Sequence, residues 1–285
     1  MTATGSATPR LGRARSAAKS PAIAMAARAG FIGRGVIYLL IGFLALRIAF
    51  ADGGGGGDGG KQADRSGAVA EIAEKPFGMA LLWLLGIAVA GMAVWRLSEA
   101  AFGQAGPDGR KANKRVMAAG RCVFYAFVAY SVLSFAAGEK SSGGGSSDES
   151  SKDVTAKALD WPYGQWIVGA AGFAVAAAGA WIAVRALLRT FHKHLKMSAL
   201  SSRARKGVDV LGVFGGTARG VVFTVAGAFA VTAAVRHEPG RAKGIDDTLR
   251  SFTDTPAGPW LLALIAVGLV AFGLFSWANA RWRKV

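Results

Sequence analysis

Long apolar runs alternate with short polar segments along the whole chain. Each run carries almost no charge and is long enough to cross a hydrocarbon core of about 30 Å at about 1.5 Å per helical residue. The pattern therefore predicts six transmembrane helices. The predicted spans are residues 35–51, 79–101, 121–137, 164–188, 219–235 and 258–280.

A six-residue motif opens every other span. Its copies are GRGVIY at 33–38, GRCVFY at 120–125 and ARGVVF at 218–223, so the motif arginines are Arg34, Arg121 and Arg219. A Pro-x-Gly motif opens each following span, and we expect its proline in the first helical turn, where a missing N–H costs nothing. Its copies are Pro76 with Gly78, Pro162 with Gly164, and Pro256 with Gly258. The recurrence predicts an all-α membrane fold of three tandem parallel-repeat helical hairpins.

The repeats divide the chain into four segments. Residues 1–21 form a basic, disordered cytoplasmic tail without hydrophobic periodicity. Residues 22–102, 103–188 and 189–285 each hold one repeat with two transmembrane helices. Polar loops rich in glycine or serine, such as 52–65 and 138–151, join the two helices of a repeat, and a short helix on the outer surface follows each loop.

The charges agree with this division. The chain has 285 residues, 52% hydrophobic, and a net charge of +17. Lysines and arginines crowd the tail, the links between repeats and the carboxyl end, which favours topology and anionic lipid over nucleic-acid binding. By the positive-inside rule we expect both termini in the cytoplasm.

The first span has a rival interpretation as a secretory signal, because Ala49-Phe50-Ala51 resembles a cleavage site. Removing it would delete one copy of a unit that the rest of the chain retains. The repeats therefore favour an uncleaved transmembrane helix.

The triplicated motifs resemble bacterial membrane proteins of the family called domain of unknown function 1206. The resemblance covers nearly the whole chain after the tail and implies a six-span inner-membrane protein. It brings no established activity, substrate or catalytic residue. The copies here differ from one another at Ala218 and Cys122, where the others have glycine, so these flanking glycines are not strict requirements of the unit.

The three motif arginines have two interpretations. In the first, Arg34, Arg121 and Arg219 lie at the cytoplasmic ends of their helices, extend to lipid headgroups and fix the depth of each helix. In the second, a pseudo-threefold bundle gathers them near one axis as a site for a lipid phosphate or carboxylate, which the planar fork of arginine suits.

A second polar set appears when the repeats are aligned on their prolines: Glu99, Arg185 and Asn279. We expect these residues at the level of the motif arginines. Glu99 is the carboxylate of the set and is a candidate ion-pair partner for Arg34 or for the arginine of a neighbouring repeat. The alternative is a residue at the water boundary with no special partner.

Other chemistry finds little support in the sequence. His192 and His194 lie among lysines without acidic or cysteine neighbours, so no metal site is predicted. The single cysteine, Cys122, excludes an intrachain disulfide. Small residues in the spans predict close helix packing. No catalytic group or cofactor motif is recognisable.

The function predicted from these observations is non-enzymatic. We expect an integral membrane scaffold or interaction protein that contacts the lipid bilayer, anionic lipids or a membrane protein partner. The alternative is a small channel or transporter with an inner ring of three arginines. Span centres made of Ala, Val, Leu, Gly and Phe argue against ion-coupled transport. The sequence makes no prediction of the oligomeric state.

Overall fold

The computed structural model describes residues 21–50, 63–103, 111–138, 147–254 and 257–284. The predicted tail, most of the two glycine- and serine-rich loops and Pro256 lie outside these ranges. Within them the chain is helical and forms no β-strand. The α-helices are α1 (Pro21–Phe50), α2 (Arg65–Ala73), α3 (Gly78–Phe102), α4 (Ala112–Ala136), α5 (Ser147–Leu159), α6 (Gly164–Leu187), α7 (Ser202–Arg236), α8 (Ile245–Ser251) and α9 (Gly258–Trp282).

Six of these helices are long and apolar enough to cross a membrane. They are α1, α3, α4, α6, α7 and α9, two for each repeat, which confirms the predicted fold class. Each short helix, α2, α5 or α8, lies between the two long helices of its repeat.

The first long helix of each repeat begins earlier than predicted. Helices α1, α4 and α7 start at Pro21, Ala112 and Ser202, well before the motif arginine. The lead-in residues of α1 and α4 are rich in alanine, lysine and arginine, which favour helix. The lead-in of α7 is instead capped by Ser201, whose hydroxyl accepts a hydrogen bond from the Ala204 N–H. The placement of Arg34, Arg121 and Arg219 at the ends of their helices is therefore wrong: each lies well inside a continuous helix.

The proline of the first two Pro-x-Gly motifs also lies outside the helix, whereas the prediction placed it in the first helical turn. Pro76 and Pro162 lie in the turn before the helix, and the helix begins at the glycine. A Cβ on Gly78 would lie 2.1 Å from the carbonyl oxygen of Ile72, and the equivalent positions Gly164 and Gly258 are equally crowded. The glycine is required because the long helix starts directly against the end of the short helix before it.

The long helices form a cyclic arrangement. The second long helix of each repeat packs closely on the first long helix of the next repeat, which gives the pairs α3 with α4, α6 with α7, and α9 with α1. Within a repeat, α1 packs on α3 and α7 packs on α9. The three repeats therefore interlock, and the third closes onto the first.

Small residues allow the closest of these contacts. A Cβ on Gly179 of α6 would lie 2.4 Å from the backbone nitrogen of Thr224 in α7. A Cβ on Gly42 of α1 would lie 2.9 Å from the carbonyl oxygen of Ala266 in α9. Backbones that approach this closely gain dispersion contacts, which drive helix association in lipid.

Candidate functional site

The motif arginines of different repeats meet in the half of the bundle that contains the carboxyl end of α9, and we call this half the arginine end. Arg34 of α1 donates a hydrogen bond from Nη1 to the Tyr125 hydroxyl of α4, at 3.4 Å. Arg219 of α7 places its guanidinium 5.7 Å from the ring centroid of Tyr38 in α1. In both cases the arginine of one repeat reaches the aromatic residue that closes the motif of the next repeat.

Phe272 of α9 lies between two of these arginines. Its ring centroid is 5.2 Å from the guanidinium carbon of Arg34 and 5.0 Å from that of Arg219. Arg34 also donates from Nε to the hydroxyl of Ser276, at 3.1 Å. Helix α9, which packs on both α1 and α7, thus fixes the two arginines relative to each other.

Arg121 of α4 has the fewest contacts of the three. Among the described residues it donates from Nη2 to the sulfur of Met117 at 3.2 Å, and sulfur is a weak acceptor. The guanidinium lies within electrostatic range of Arg96, Glu99 and Arg219. Its charge is therefore surrounded mainly by charges of the same sign.

Two further arginines, which the sequence analysis missed, complete the set. Arg96 of α3 is 4% exposed, and a charged residue inside an apolar run was the signal that could have revealed it. Arg283 follows the end of α9, and its guanidinium carbon lies 5.1 Å from the ring centroid of Phe31 and 5.2 Å from that of Trp95. We call Arg34, Arg96, Arg121, Arg219 and Arg283 the arginine cluster.

The carboxyl-terminal residues hold Arg283 in the cluster. The backbone N–H of Lys196 donates to the carbonyl of Trp282, and the N–H of Lys284 donates to the carbonyl of His194, both at 2.9 Å. These bonds form an antiparallel bridge between Leu195 and Arg283. The link before α7 therefore directs the Arg283 side chain toward the bundle.

Positive charge is in excess in this cluster. Among the described residues, Glu99 is the carboxylate whose negative charge offsets those of Arg121 and Arg283. It forms an ion pair with Arg96 at 2.5 Å. The Nε atoms of Arg96 and Arg219 are buried and have no hydrogen-bond partner among the described residues. Burial, together with the nearby charges of Arg96 and Arg34, lowers the pKa of Arg283 to about 9.

The second polar set has three different roles. Glu99 does not form the expected ion pair with Arg34. Its carboxylate bonds to Arg96, one turn away on the same helix, and its charge also acts on Arg121 of the neighbouring repeat. Asn279 accepts a hydrogen bond from Nη1 of Arg283 at 3.3 Å. Arg185 bonds instead to Thr190 at the end of α6. Two members of the set thus reach the cluster.

A family model matches the chain three times, at residues 29–103, 116–189 and 214–283, under the description Domain of Unknown Function (DUF1206). The chain belongs to the DUF1206 family. Each matched segment contains one motif arginine and two long helices, so the family unit and the structural repeat coincide.

One relative of this DUF1206 protein is "Uncharacterized protein YxxB" of Bacillus subtilis (strain 168). It is 28% identical over 266 residues, which cover 90% of this chain and 92% of the relative. No solved structure gives a significant match. The similarity extends through all three repeats rather than through one hairpin.

The opposite end of the bundle, the short-helix end, holds a second buried polar group. Asp246 of α8 accepts a hydrogen bond from the backbone N–H of Ala63 at 2.7 Å and one from Nε of Arg250 at 2.8 Å. Asp247 pairs with Lys152 of α5 at 2.8 Å. The two aspartates thus connect the third repeat to the first and the second.

The histidines of the link before α7 lie in separate surroundings. Nε2 of His192 lies 2.5 Å from a carboxylate oxygen of Asp209. Burial and the charges of Arg283 and Arg185 lower the pKa of His194 to about 4. Among the described residues no three His, Cys, Asp or Glu side chains gather as metal ligands.

Proposed function

We propose that this DUF1206 member is a non-catalytic membrane protein that binds an anionic phosphate or carboxylate group at its arginine cluster. The observation that carries the proposal is the charge excess: among the described residues Glu99 is the carboxylate beside Arg96, Arg121 and Arg283, and Arg34 and Arg219 contact hydroxyl and aromatic groups instead. Two of their nitrogen atoms are also buried without a partner.

The energetics favour a bound anion. A buried polar group without a hydrogen bond costs free energy, and a buried unpaired charge costs more. An anion with several acceptor oxygens would satisfy the free Nε atoms of Arg96 and Arg219 and reduce the repulsion between neighbouring guanidinium groups. Phosphate and carboxylate match the planar donor fork of arginine.

We further propose that the arginine end faces the cytoplasm of a bacterium. The basic link at 189–206 and the carboxyl end lie there, whereas the acidic pair Asp246 and Asp247 lies at the other end. Positive residues concentrate on the cytoplasmic side of membrane proteins. The site would then face the anionic lipid of the inner leaflet.

The channel alternative has weaker support. The side chains of Tyr38, Tyr125 and Phe272 lie between the motif arginines, and aromatic packing at this point favours a binding site over an open pore. Flux assays in liposomes provide the test. We expect no anion leak from the wild-type protein, and a leak that disappears in the Arg34/Arg121/Arg219 triple glutamine variant would establish the channel instead.

Thermal unfolding of delipidated protein in a mild detergent tests the binding proposal. We expect inorganic phosphate to raise the melting temperature relative to chloride at matched ionic strength, since a ligand at 100 times its Kd stabilises by about 2.7 kcal/mol. The triple glutamine variant should lose this response.

The matched control replaces three exposed arginines, Arg203, Arg205 and Arg236, with glutamine. It lowers the net charge equally and leaves the cluster intact. An equal loss of the phosphate response in both triple variants would contradict a specific site, because it would assign the effect to net charge alone.

A further inference from the structure

One junction of the cyclic arrangement is open. In the first repeat, a Cβ on Gly33 of α1 would lie 3.1 Å from Leu85 Cδ1 of α3. In the third, the Ala218 side chain of α7 contacts α9 so closely that a Cβ on Gly268 would lie 2.3 Å from it. In the second repeat the equivalent residue is Gly120 of α4, and nothing lies within 4 Å of a Cβ placed there.

The long helices of the second repeat accordingly do not pack on each other over any extended surface in the described chain. Helix α4 packs on α3, and α6 packs on α7, but α4 and α6 remain apart. The opening lies at the arginine end, because Gly120 directly precedes Arg121. Arg121, the least engaged member of the cluster, therefore lies beside the opening.

The exposed residues near this opening are apolar. On α4, Val116 is 71% exposed and Val123 is 70% exposed, and at the arginine end of α6 Leu187 is 57% exposed. Apolar exposure is ordinary in a bilayer and indicates no ligand by itself. The informative feature is the combination of a missing helix contact, an apolar border and a group of incompletely paired arginines directly behind it.

We propose that the opening between α4 and α6 is a lateral entrance for an anionic phospholipid from the same leaflet. The headgroup phosphate binds Arg121 and its neighbours in the arginine cluster, while the acyl chains lie against the exposed apolar residues of α4 and α6. This inference rests on the proposed anion-binding function and names the class of ligand. An amphiphile is the occupant that matches both the charge of the cluster and the apolar border.

Charge argues against the tail of this chain as the occupant. Residues 1–20 contain Arg10, Arg13, Arg15 and Lys19 and no Asp or Glu. A segment of that composition would add positive charge to a cluster that already has an excess. A lipid phosphate supplies the opposite charge.

The test closes the opening with a single substitution, Gly120→Phe. The new side chain meets open space, and Gly120 has helical backbone that phenylalanine adopts without strain. The matched control is Gly207→Phe on α7, an exposed helical glycine that also has nothing within 4 Å and lies outside the opening. Equal melting temperatures of the two variants verify that both fold.

Each protein is placed in nanodiscs of equimolar phosphatidylglycerol and phosphatidylcholine, and native mass spectrometry counts the lipid that remains bound after ejection. We expect the wild type and Gly207→Phe to retain phosphatidylglycerol preferentially. Gly120→Phe should retain about tenfold less. Inorganic phosphate should still stabilise all three delipidated proteins, because a small ion reaches the cluster from the water side.

The remaining outcomes separate the two proposals. Equal retention of phosphatidylglycerol by Gly120→Phe and the wild type would overturn the lateral entrance and leave anion binding intact. Stabilisation by phosphate without any retained lipid would mean that the site takes a soluble anion, and it would overturn the lipid proposal. Absence of both effects in the wild type would overturn the proposed function as well.

Discussion

The two ends of the bundle each contain charged groups away from water, but they balance their charges differently. At the short-helix end, Asp246 is 4% exposed and receives both a backbone N–H and a guanidinium. At the arginine end, Arg96 is equally buried and shares the Glu99 carboxylate with Arg121 and Arg283. The first group is complete within the protein, and the second has donors left over.

This difference indicates different roles for the two ends. A paired acid between repeats stabilises the fold, because its removal would leave the Ala63 N–H without an acceptor. A cluster with unpaired donors weakens the protein until a ligand supplies acceptors. The short-helix end therefore connects the repeats, and the unpaired donors of the arginine end are the ground for the anion binding that we propose there.

Glu99→Gln should produce the largest change in stability. The substitution removes the carboxylate that Arg96 contacts and leaves a buried guanidinium without charge compensation, at a cost of about 3 kcal/mol. Denaturation in an SDS titration measures the loss. Inorganic phosphate should restore part of the lost stability. An unchanged free energy of unfolding would show that the Arg96–Glu99 pair does not stabilise the protein.

Asp246→Ala should cost about 2 kcal/mol, because it leaves the Ala63 N–H unsatisfied and ends the pair with Arg250. Phosphate should not recover this loss. Asp247→Ala is the control, since its contact with Lys152 is partly exposed and should contribute under about 1 kcal/mol. Recovery of Asp246→Ala by phosphate would contradict the distinction between the two ends.

The same substitution should have opposite signs at the two ends. Arg121→Met removes a charge that lies among like charges, so we expect the anion-free protein to gain about 1 kcal/mol. Arg250→Met removes the partner of buried Asp246 and should destabilise. Both free energies of unfolding come from the same SDS titration, and a loss in Arg121→Met would show that its charge is already compensated.

The arginine end should also be sensitive to acid, with a smaller effect. The pKa of His194 is lowered to about 4, so between about pH 6.5 and pH 4 the unfolded chain binds a proton that the folded chain does not. Stability should therefore fall as the pH is lowered through this window. His194→Gln should flatten the decline in melting temperature.

The sequence predicts the repeated parts of this structure well. Six apolar runs were sufficient to predict the six long helices, because the thickness of a bilayer fixes how long each run must be. The two recurring motifs were sufficient to group these helices into three units. A short helix after each polar loop was also expected, and α2, α5 and α8 lie at these places.

The cluster was predicted only in part. Arg34, Arg121 and Arg219 were identified by recurrence, but their approach to the aromatic residues of other repeats depends on how α1, α4 and α7 are tilted and packed. Arg96 has no counterpart in the other repeats, so an argument from repetition does not find it. Arg283 is matched by Arg189 of the second repeat alone, and its place in the cluster depends on the bridge to Leu195. The partner of Glu99 was mistaken because an arginine on its own helix was overlooked.

An electron cryomicroscopy map of the protein in nanodiscs that contain phosphatidylglycerol tests the central claim most directly. We predict density for a phosphate in contact with Arg121 and at least one other arginine of the cluster, continuous with acyl-chain density between α4 and α6. A well-resolved arginine end without such density, in which the guanidinium groups of Arg96 and Arg219 bond to carboxylates of another chain, would contradict it.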